Sequence, residues 1–495
     1  MLGPYSRGLL LSAGLVASGW VPEALAGTEV GGYARVMARP DLDGGDGRLG
    51  YWNLHGRLLN EGPYAALQLR TDLLEPQPGS TAPWGTLHTR VEGGSIANMD
   101  SGGGSLENLR LSQVYMEAGN VLFRDVTWRV GSLYRYVGDL GLYDFRPADL
   151  FTDTVGIAAR YETASTDLLI GFGDSGYGLD PENYNAVFTP GGWWRQRLGD
   201  RLEVGLGGEW RLERQAAGHR HAPYQTPDLD YEDFLRGEVV QSWLETYPDR
   251  LDAFPDPEPA NATSFKLIAS LGFGGFGPVK WNNLFANVQR LHPEATVTET
   301  AEGQDVTVYV TELTDERYQI NVGNELHLGL TPRWELAWAA FYGDYWDGDN
   351  ALAPSEHARW FASTVVRAQW AWTDTVHWLI ETSLAREHSK NGNQWREHAD
   401  SIFNSTDGFH DAEGFEYGDT DERDTWQGKT GVVLNPLGPG IYARPSLRLL
   451  YGAQRSNQNN AFGNGFVETV DQYDDFDNVE RHWHHVLALE AEAWF

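Results

Sequence analysis

The feature that most constrains this chain is a two-residue alternation of apolar and polar side chains that recurs from end to end. In the last nine residues, LALEAEAWF, the alternation places Leu487, Leu489 and Phe495 on one face. Glu492 and Trp494 fall on the opposite face. This period is that of a β-strand, so the pattern predicts strands that are apolar on one side only. We count about eighteen such segments of roughly ten residues each, and the second of them is YWNLHGRLLN at 51–60.

The connections between these segments fall into two classes. Short turns such as NEG, LGDR and PLGPG alternate along the chain with long polar loops. We predict the long loops near 39–50, 74–108, 135–154, 173–191, 213–263, 291–317, 345–358, 387–425 and 453–484. Short turns on one rim and long loops on the other are typical of outer-membrane barrels, which have an even number of strands. The sequence therefore predicts an all-β fold, a transmembrane antiparallel β-barrel of about 18 strands with short periplasmic turns and long extracellular loops.

The composition and the N-terminal segment agree with an exported barrel. Residues 1–26 have the basic, apolar and small-residue regions of a secretory signal peptide, which leaves 27–495 as the barrel domain. The chain has no cysteine, so disulfides and thiol chemistry are excluded. A net charge of -33 argues against nucleic acid as a partner. Aromatic residues make up 13% although the mean hydropathy is -0.45, which suits a wall between lipid and water.

The same alternation identifies aromatic residues that line the lumen. Tyr33, Tyr64, Tyr442 and Trp494 fall on the polar faces of their segments, whereas girdle aromatics face lipid. Sugars have apolar C–H faces and hydroxyl rims, so aromatic rings beside polar side chains suit them. One aromatic contact contributes on the order of 1 kcal/mol, and conduction requires several weak sites rather than one deep site. The sequence favours saccharide transport, with filler or girdle aromatics as the alternative.

Several stretches resemble the maltoporin-type sugar porins. They are GGYAR, GRLLNEGPYAALQL, YMEAGN, GDLGLYDF, WFASTVVRAQWAWTD, YARPSLRLLYG and the terminal EAEAWF. The resemblance implies a homotrimeric porin in the outer membrane of a Gram-negative bacterium, surrounded by lipid and lipopolysaccharide. It also implies passive uptake of maltodextrin-like or other neutral oligosaccharides along an aromatic slide flanked by ionizable residues. No cofactor is implied.

The resemblance assigns roles to individual residues. The implied aromatic slide consists of Tyr33, Tyr64, Tyr442 and Trp494, with Trp84 and Phe285 as further candidates. The implied polar track consists of Arg35, Arg57, Arg110, Asp139, Asp144 and Arg146. The segment 134–154 resembles the family's third loop, which folds inward and narrows the channel. Trp84 is expected in the second loop, where it would reach into the vestibule of a neighbouring subunit.

Some positions depart from the family pattern. Ala66 stands where a carboxylate is expected beside the slide, and Ser112 and Val137 stand where arginines are expected. Arg110 shares the face of Ser112, and Arg146 replaces a tyrosine. These differences leave the choice of sugar open.

The chain also contains stretches that suggest other sites. The acidic stretches 41–47 and 471–478 could bind calcium, but the first lacks EF-hand spacing and a solvated loop is the preferred interpretation. A short helix within 231–247, in the 213–263 loop, could cap the pore or meet a partner. The alternatives to sugar transport are a general or other-solute-specific porin and a receptor or adhesion barrel. No hydrolase, zinc-protease or phosphate-loop motif occurs, so we predict no enzymatic activity.

Overall fold

The structure is a computed structural model that describes the strands and parts of their connections. The described residues are 27–40, 42, 49, 52–75, 81–94, 110–138, 140–143, 149–175, 186–214, 222–223, 261–291, 296–301, 304–309, 317–347, 359–389, 422–457 and 483–495. The predicted signal peptide at 1–26 and the predicted helix within 231–247 lie outside them. Within these ranges, no helix is both long and apolar enough to cross a membrane.

Eighteen strands form one closed antiparallel barrel. The elements in chain order are β1 (Thr28–Ala38), α1 (Trp52–His55), β2 (Tyr64–Leu74), β3 (Trp84–Gly94), β4 (Arg110–Gly119), β5 (Val126–Ser132), β6 (Val155–Glu162), β7 (Thr166–Asp174), β8 (Ala186–Leu198), β9 (Leu202–Arg214), β10 (Ala222–Pro223), β11 (Asn261–Phe276), β12 (Val279–Leu291), β13 (Thr296–Ala301), β14 (Gln304–Tyr309), β15 (Arg317–Thr331), β16 (Trp334–Asp347), β17 (Arg359–Ala371), β18 (Val376–Ser389), β19 (Glu422–Leu434), β20 (Ser446–Ser456) and β21 (Trp483–Trp494). The barrel closes because β1 pairs with both β2 and β21. β10, β13 and β14 form a small separate sheet. The predicted barrel is confirmed.

The C-terminal strand shows how the alternation builds the wall. Glu490 and Glu492 of β21 face the lumen and are 3% and 1% exposed. Leu487 and Leu489 face outward and are 39% and 48% exposed. An apolar outer face is what a barrel presents to lipid, while a polar inner face lines an aqueous lumen.

Two predicted segments are wrong, and their errors cancel in the strand count. Residues 51–60 do not form a strand, because α1 is followed by a turn in which Gly56 and Leu59 have φ values of 77° and 64°. Positive φ interrupts an extended backbone, and a period-two pattern does not reveal it. β3 lies inside the predicted loop 74–108, so the short connection 75–83 belongs to the rim of short turns.

Two connections from the rim of long loops fold into the barrel. The first inward segment, residues 52–61, brings Leu58 and Leu59 into an apolar cluster with Leu450 of β20 and Val486 of β21. The backbone N–H of Leu49 donates to the carbonyl of Leu59 at 2.9 Å. The segment therefore covers part of the inner wall instead of adding a strand to it.

The second inward segment consists of residues 133–138, 140–143 and 149–154, and it folds inward as predicted for 134–154. Leu140 is fully buried over Gly323 of β15, where a Cβ atom would come within 2.5 Å of the leucine side chain. The hydroxyl groups of Tyr143 and Ser363 are 2.8 Å apart. The backbone N–H of Arg57 donates to the carbonyl of Leu142 at 2.8 Å, so the two inward segments support each other.

Candidate functional site

Three of the predicted slide aromatics lie together where the barrel closes. β1, β2 and β21 are adjacent, so the lumen-facing Tyr33, Tyr64 and Trp494 are neighbours. The ring centroids of Tyr33 and Tyr64 are 5.6 Å apart, and those of Tyr33 and Trp494 are 6.2 Å apart. Tyr64 is 4% exposed and Trp494 is 45% exposed. We call these three residues the closure aromatics, and Trp494 offers the most open ring.

Glu492 gathers the polar groups beside the closure aromatics. Its carboxylate accepts hydrogen bonds from the hydroxyl of Tyr33 at 2.9 Å and from Nη2 of Arg57 at 2.8 Å. Arg444 and Arg448 pair with its other oxygen at 2.6 and 2.5 Å. Charge-assisted bonds of this kind fix side-chain geometry. Arg57 was predicted for the polar track, whereas the two other arginines were not.

β3 supplies the carboxylate that Ala66 does not provide beside Tyr64. The hydroxyl of Tyr64 donates to Glu92 at 2.7 Å and accepts from Nη2 of Arg90 at 2.8 Å. Arg110, a predicted track residue, lies 3.7 Å from the same carboxylate. Glu92 and Arg90 were missed because β3 was placed in a loop. The alternation in HTRVEGG was the signal that could have found them.

Arg35, Ser112 and Val137 each contact other parts of the barrel. Arg35 is 3% exposed, pairs with Glu61 of the first inward segment and donates from Nε to the carbonyl of Gly62 at 3.0 Å. The hydroxyl of Ser112 lies 3.4 Å from the backbone carbonyl of Arg90. Val137 packs against the apolar core formed with the second inward segment. Arg35 is therefore enclosed, although it faces the lumen as predicted.

Tyr442 lies in a second aromatic group that the sequence did not reveal. Its ring centroid is 6.0 Å from Trp281 and 5.6 Å from His327. Its hydroxyl donates to Glu325 of β15. A Cβ atom at Gly141 of the second inward segment would lie 3.3 Å from the Tyr442 ring. Tyr442 thus joins the inward segment to the wall.

The two weaker slide candidates have different surroundings from those expected. Phe285 is 4% exposed and is covered by the second inward segment at Gly138, where a Cβ atom would come within 2.4 Å of the ring. Trp84 is not in a loop; it begins β3, and its indole packs over Gly119 of β4. The expected loop position of Trp84 is therefore wrong, because the predicted loop contains a strand.

A comparison with protein families finds a match over part of the chain. The family model of the LamB porins matches residues 280–406, from β12 through β18 and into the following connection. Over these residues the chain is similar to the LamB porins, which supports an outer-membrane porin. A porin of this kind is a transport channel of the outer membrane. The porin has no match among the curated proteins.

The porin also resembles several solved structures at low sequence identity. A loop-deletion mutant of OmpT from Vibrio cholerae has a TM-score of 0.39 at 8% identity and covers 95% of this chain and 100% of its own. OprB of Pseudomonas putida has a TM-score of 0.38 at 10% identity, with 95% and 94% covered. Wzi of Escherichia coli, described as a carbohydrate-binding β-barrel, has a TM-score of 0.37 at 11% identity, with 94% and 84% covered.

Several predicted features of the porin fall outside the described residues. Among them are the track residues Asp139, Asp144 and Arg146. The acidic stretches considered for calcium, 41–47 apart from Leu42 and 471–478, also lie outside. In the part of the chain that the structure describes, no group of three or more His, Asp or Glu side chains could hold a metal ion.

His55 anchors the first inward segment of the porin to the wall. Its Nδ1 lies 3.0 Å from the hydroxyl of Ser383, and its Nε2 lies 2.6 Å from the hydroxyl of Thr425. Burial, followed by the positive charges of Lys429 and Arg423, lowers the pKa of His55 well below its ordinary value. The ring is therefore neutral at neutral pH, where it can donate through one nitrogen and accept through the other.

Proposed function

We propose that the porin conducts oligosaccharides by passive diffusion along the closure aromatics and the charged side chains beside them. The observation that supports this proposal is the arrangement of Tyr33, Tyr64 and Trp494 on one stretch of the lumen wall. The carboxylates of Glu92 and Glu492 lie within hydrogen-bond distance of the two tyrosine hydroxyls. Ring faces and charged hydrogen-bonding groups thus occur side by side.

This arrangement suits the amphipathic surface of a sugar. The C–H face of a pyranose ring packs on an aromatic ring, and each such contact contributes on the order of 1 kcal/mol. The hydroxyl rim can exchange water for hydrogen bonds with arginine and carboxylate groups. Because each contact is weak, a sugar can leave one site for the next, which passive conduction requires.

The test is block of ion current through the purified protein in planar bilayers, with maltotriose added at increasing concentration. We expect concentration-dependent block that weakens about fivefold in Trp494→Ala, because one aromatic contact of on the order of 1 kcal/mol is lost. Trp494→Phe keeps a ring and should retain most of the block. The matched control is Trp210→Ala, which removes an indole from the outer face of β9, where Trp210 is 49% exposed.

Two outcomes would contradict the proposal. Open-channel current that no neutral or charged oligosaccharide blocks would leave a general diffusion pore or a receptor barrel. Equal weakening in Trp494→Ala and Trp210→Ala would show that the closure aromatics have no special role. Open-channel conductance without sugar, measured for each variant, separates loss of binding from loss of assembly.

The family resemblance also leads us to propose a homotrimer, exported with a cleaved signal peptide at 1–26 and surrounded by lipid and lipopolysaccharide. Chemical cross-linking of the purified protein in mild detergent should give a band of three subunits that boiling in SDS dissociates. N-terminal sequencing of the mature protein should begin at Gly27. A monomeric cross-linking pattern would contradict the trimer, and a mature N-terminus at Met1 would contradict cleavage.

A further inference from the structure

One carboxylate in the lumen is surrounded by three arginines. Asp167 of β7 accepts hydrogen bonds from Nη2 of Arg135 at 2.5 Å and from Nε of Arg160 at 2.8 Å. Nη2 of Arg195 lies 3.3 Å from the same carboxylate. Asp167 is 1% exposed, whereas the side chains of Arg160 and Arg195 are 26% and 21% exposed. The anion is enclosed, whereas Arg160 and Arg195 are partly exposed to the lumen.

The other carboxylates near these three arginines are either exposed or closer to a different arginine. Glu162 lies 3.0 Å from Arg160, but its side chain is 51% exposed. Glu203 lies 3.9 Å from Arg195 and is closer to Arg197, at 3.2 Å. Arg129 pairs with Glu117 at 2.7 Å, so its charge is already matched. Positive charge therefore predominates immediately around Asp167.

The surroundings of Arg135 show this excess of positive charge. Asp167 is its ion-pair partner among the described residues, and its Nε is buried without a hydrogen-bond partner there. Burial and the neighbouring Arg160 lower the pKa of Arg135 to about 10, which still leaves it charged at neutral pH. A guanidinium has five N–H donors. The three arginines together therefore offer more donors than the one carboxylate of Asp167 can accept.

The three arginines are held in place by independent elements. Arg160 and Arg195 are on β6 and β8, the strands on either side of β7. Arg135 belongs to the second inward segment, where its backbone exchanges hydrogen bonds of 2.9 and 3.0 Å with Leu150. Preorganised arginines of this kind bind carboxylates in a bidentate manner.

We propose that Arg135, Arg160 and Arg195 form a subsite for an anionic group, specifically the carboxylate of an acidic oligosaccharide that passes through the lumen. The proposal rests on the proposed function and deepens it by naming the substrate class. The chain as a whole has a net charge of -33, but basic and acidic residues are nearly equal in number among the described residues. The net negative charge of the whole chain therefore does not represent the charge of the barrel wall.

The experiment compares block of ion current by trigalacturonate and by maltotriose, which match in length and differ in charge. We expect trigalacturonate to block wild type more strongly, and Arg195→Gln to weaken that block on the order of tenfold, as for loss of one charged hydrogen bond. Arg195→Lys, which keeps the charge, should retain part of the effect. Block by maltotriose should change less than about twofold.

Arg386→Gln is the matched control. Arg386 lies on the outer face of β18, pairs with Asp424 at 2.6 Å and has a side chain that is 47% exposed. Its replacement removes the same charge without touching the lumen, so both block constants should equal those of wild type. Arg195 is the chosen test position because Arg135 and Arg160 still neutralise Asp167 when it is changed.

Failure of this inference is distinguishable from failure of the proposed function. If trigalacturonate and maltotriose block equally, and Arg195→Gln affects neither, the anionic subsite is overturned while saccharide conduction stands. If neither saccharide blocks, the proposed function itself fails. Inorganic phosphate is added in a separate arm, and block by phosphate alone that equals block by trigalacturonate would overturn an acidic saccharide as the ligand.

Discussion

The two sides of the barrel interior carry similar charges but differ in their contact with water. On the enclosed wall, the lumen face of β17–β21, the side chains of Arg367, Glu381 and Lys429 are at most 1% exposed. On the open wall, which is part of the lumen face of β3–β9, those of Arg90 and Arg160 are 19% and 26% exposed. Residue type does not explain this difference, because both walls consist of paired arginines and carboxylates.

The difference arises from what covers each wall. Lys429 donates from Nζ to the carbonyl of His55 at 2.8 Å, and Asn60 donates to Gln427 at 3.1 Å. These bonds fix the first inward segment to β19, so lumen water does not reach the charges beneath it. Among the described residues, the open wall and the ring of Trp494 therefore remain exposed to the lumen. The same alternation of apolar and polar side chains can thus form a wall in contact with water or a buried wall.

The largest expected effect comes from removing the shared anion of the enclosed wall. Glu381 accepts from Arg367 at 2.6 Å and from Lys429 at 2.8 Å. Glu381→Gln leaves two buried cations without a counter-ion, and breaking a buried ion pair in this way costs about 3–5 kcal/mol. Urea titration of the folded barrel, followed by Trp fluorescence, measures the loss. A cost below about 1 kcal/mol would mean that water reaches this wall.

The next effect tests the attachment of the second inward segment. Phe285→Ala removes the ring that Gly138 covers, and we expect a loss of about 3 kcal/mol from the cavity it leaves. The segment should also become less firmly held, which predicts a higher or noisier single-channel conductance. Phe172→Ala is the control, because Phe172 is 51% exposed on the outer face of β7. Unchanged conductance in Phe285→Ala would contradict a narrowing role for the segment.

An intermediate effect concerns pH and His55. Because burial lowers the pKa of His55 in the folded state, protons bind the unfolded chain more readily. Stability should therefore fall as the pH drops below about 6.5, by up to about 1.4 kcal/mol per pH unit for this one group. In His55→Gln, which keeps donors and acceptors for Ser383 and Thr425, the difference in unfolding free energy between pH 7 and pH 5 should shrink. An identical pH dependence in both proteins would show that another group controls it.

The smallest effect is expected on the open wall. Glu203 lies between Arg195 and Arg197, and its side chain is 17% exposed. Glu203→Gln removes the same kind of charge as Glu381→Gln, but partly hydrated pairs contribute about 0–1 kcal/mol. The same urea titration should show a much smaller loss than for Glu381→Gln. Equal losses at the two positions would remove the distinction between the walls.

Much of the barrel could be predicted from the sequence because a two-residue period is a local property. The faces of β21, with Glu492 inside and Leu487 outside, follow from alternation alone. The lumen positions of Tyr33, Tyr64 and Trp494 follow for the same reason. Alternation could not show that 51–60 leaves the wall, since the positive φ values at Gly56 and Leu59 depend on how that segment packs inside.

What only the tertiary structure decided is which lumen residues meet water and which meet each other. Tyr442 was expected with the other slide aromatics, but the turn before β20 places it against Trp281 and Glu325. Arg35 and Arg160 both face inward, yet one is enclosed by Glu61 and the other is open. Alternation assigns a side chain to a face, whereas burial on that face depends on segments that return from distant parts of the chain. Those long-range contacts set the local dielectric, and hence the role, of each charge.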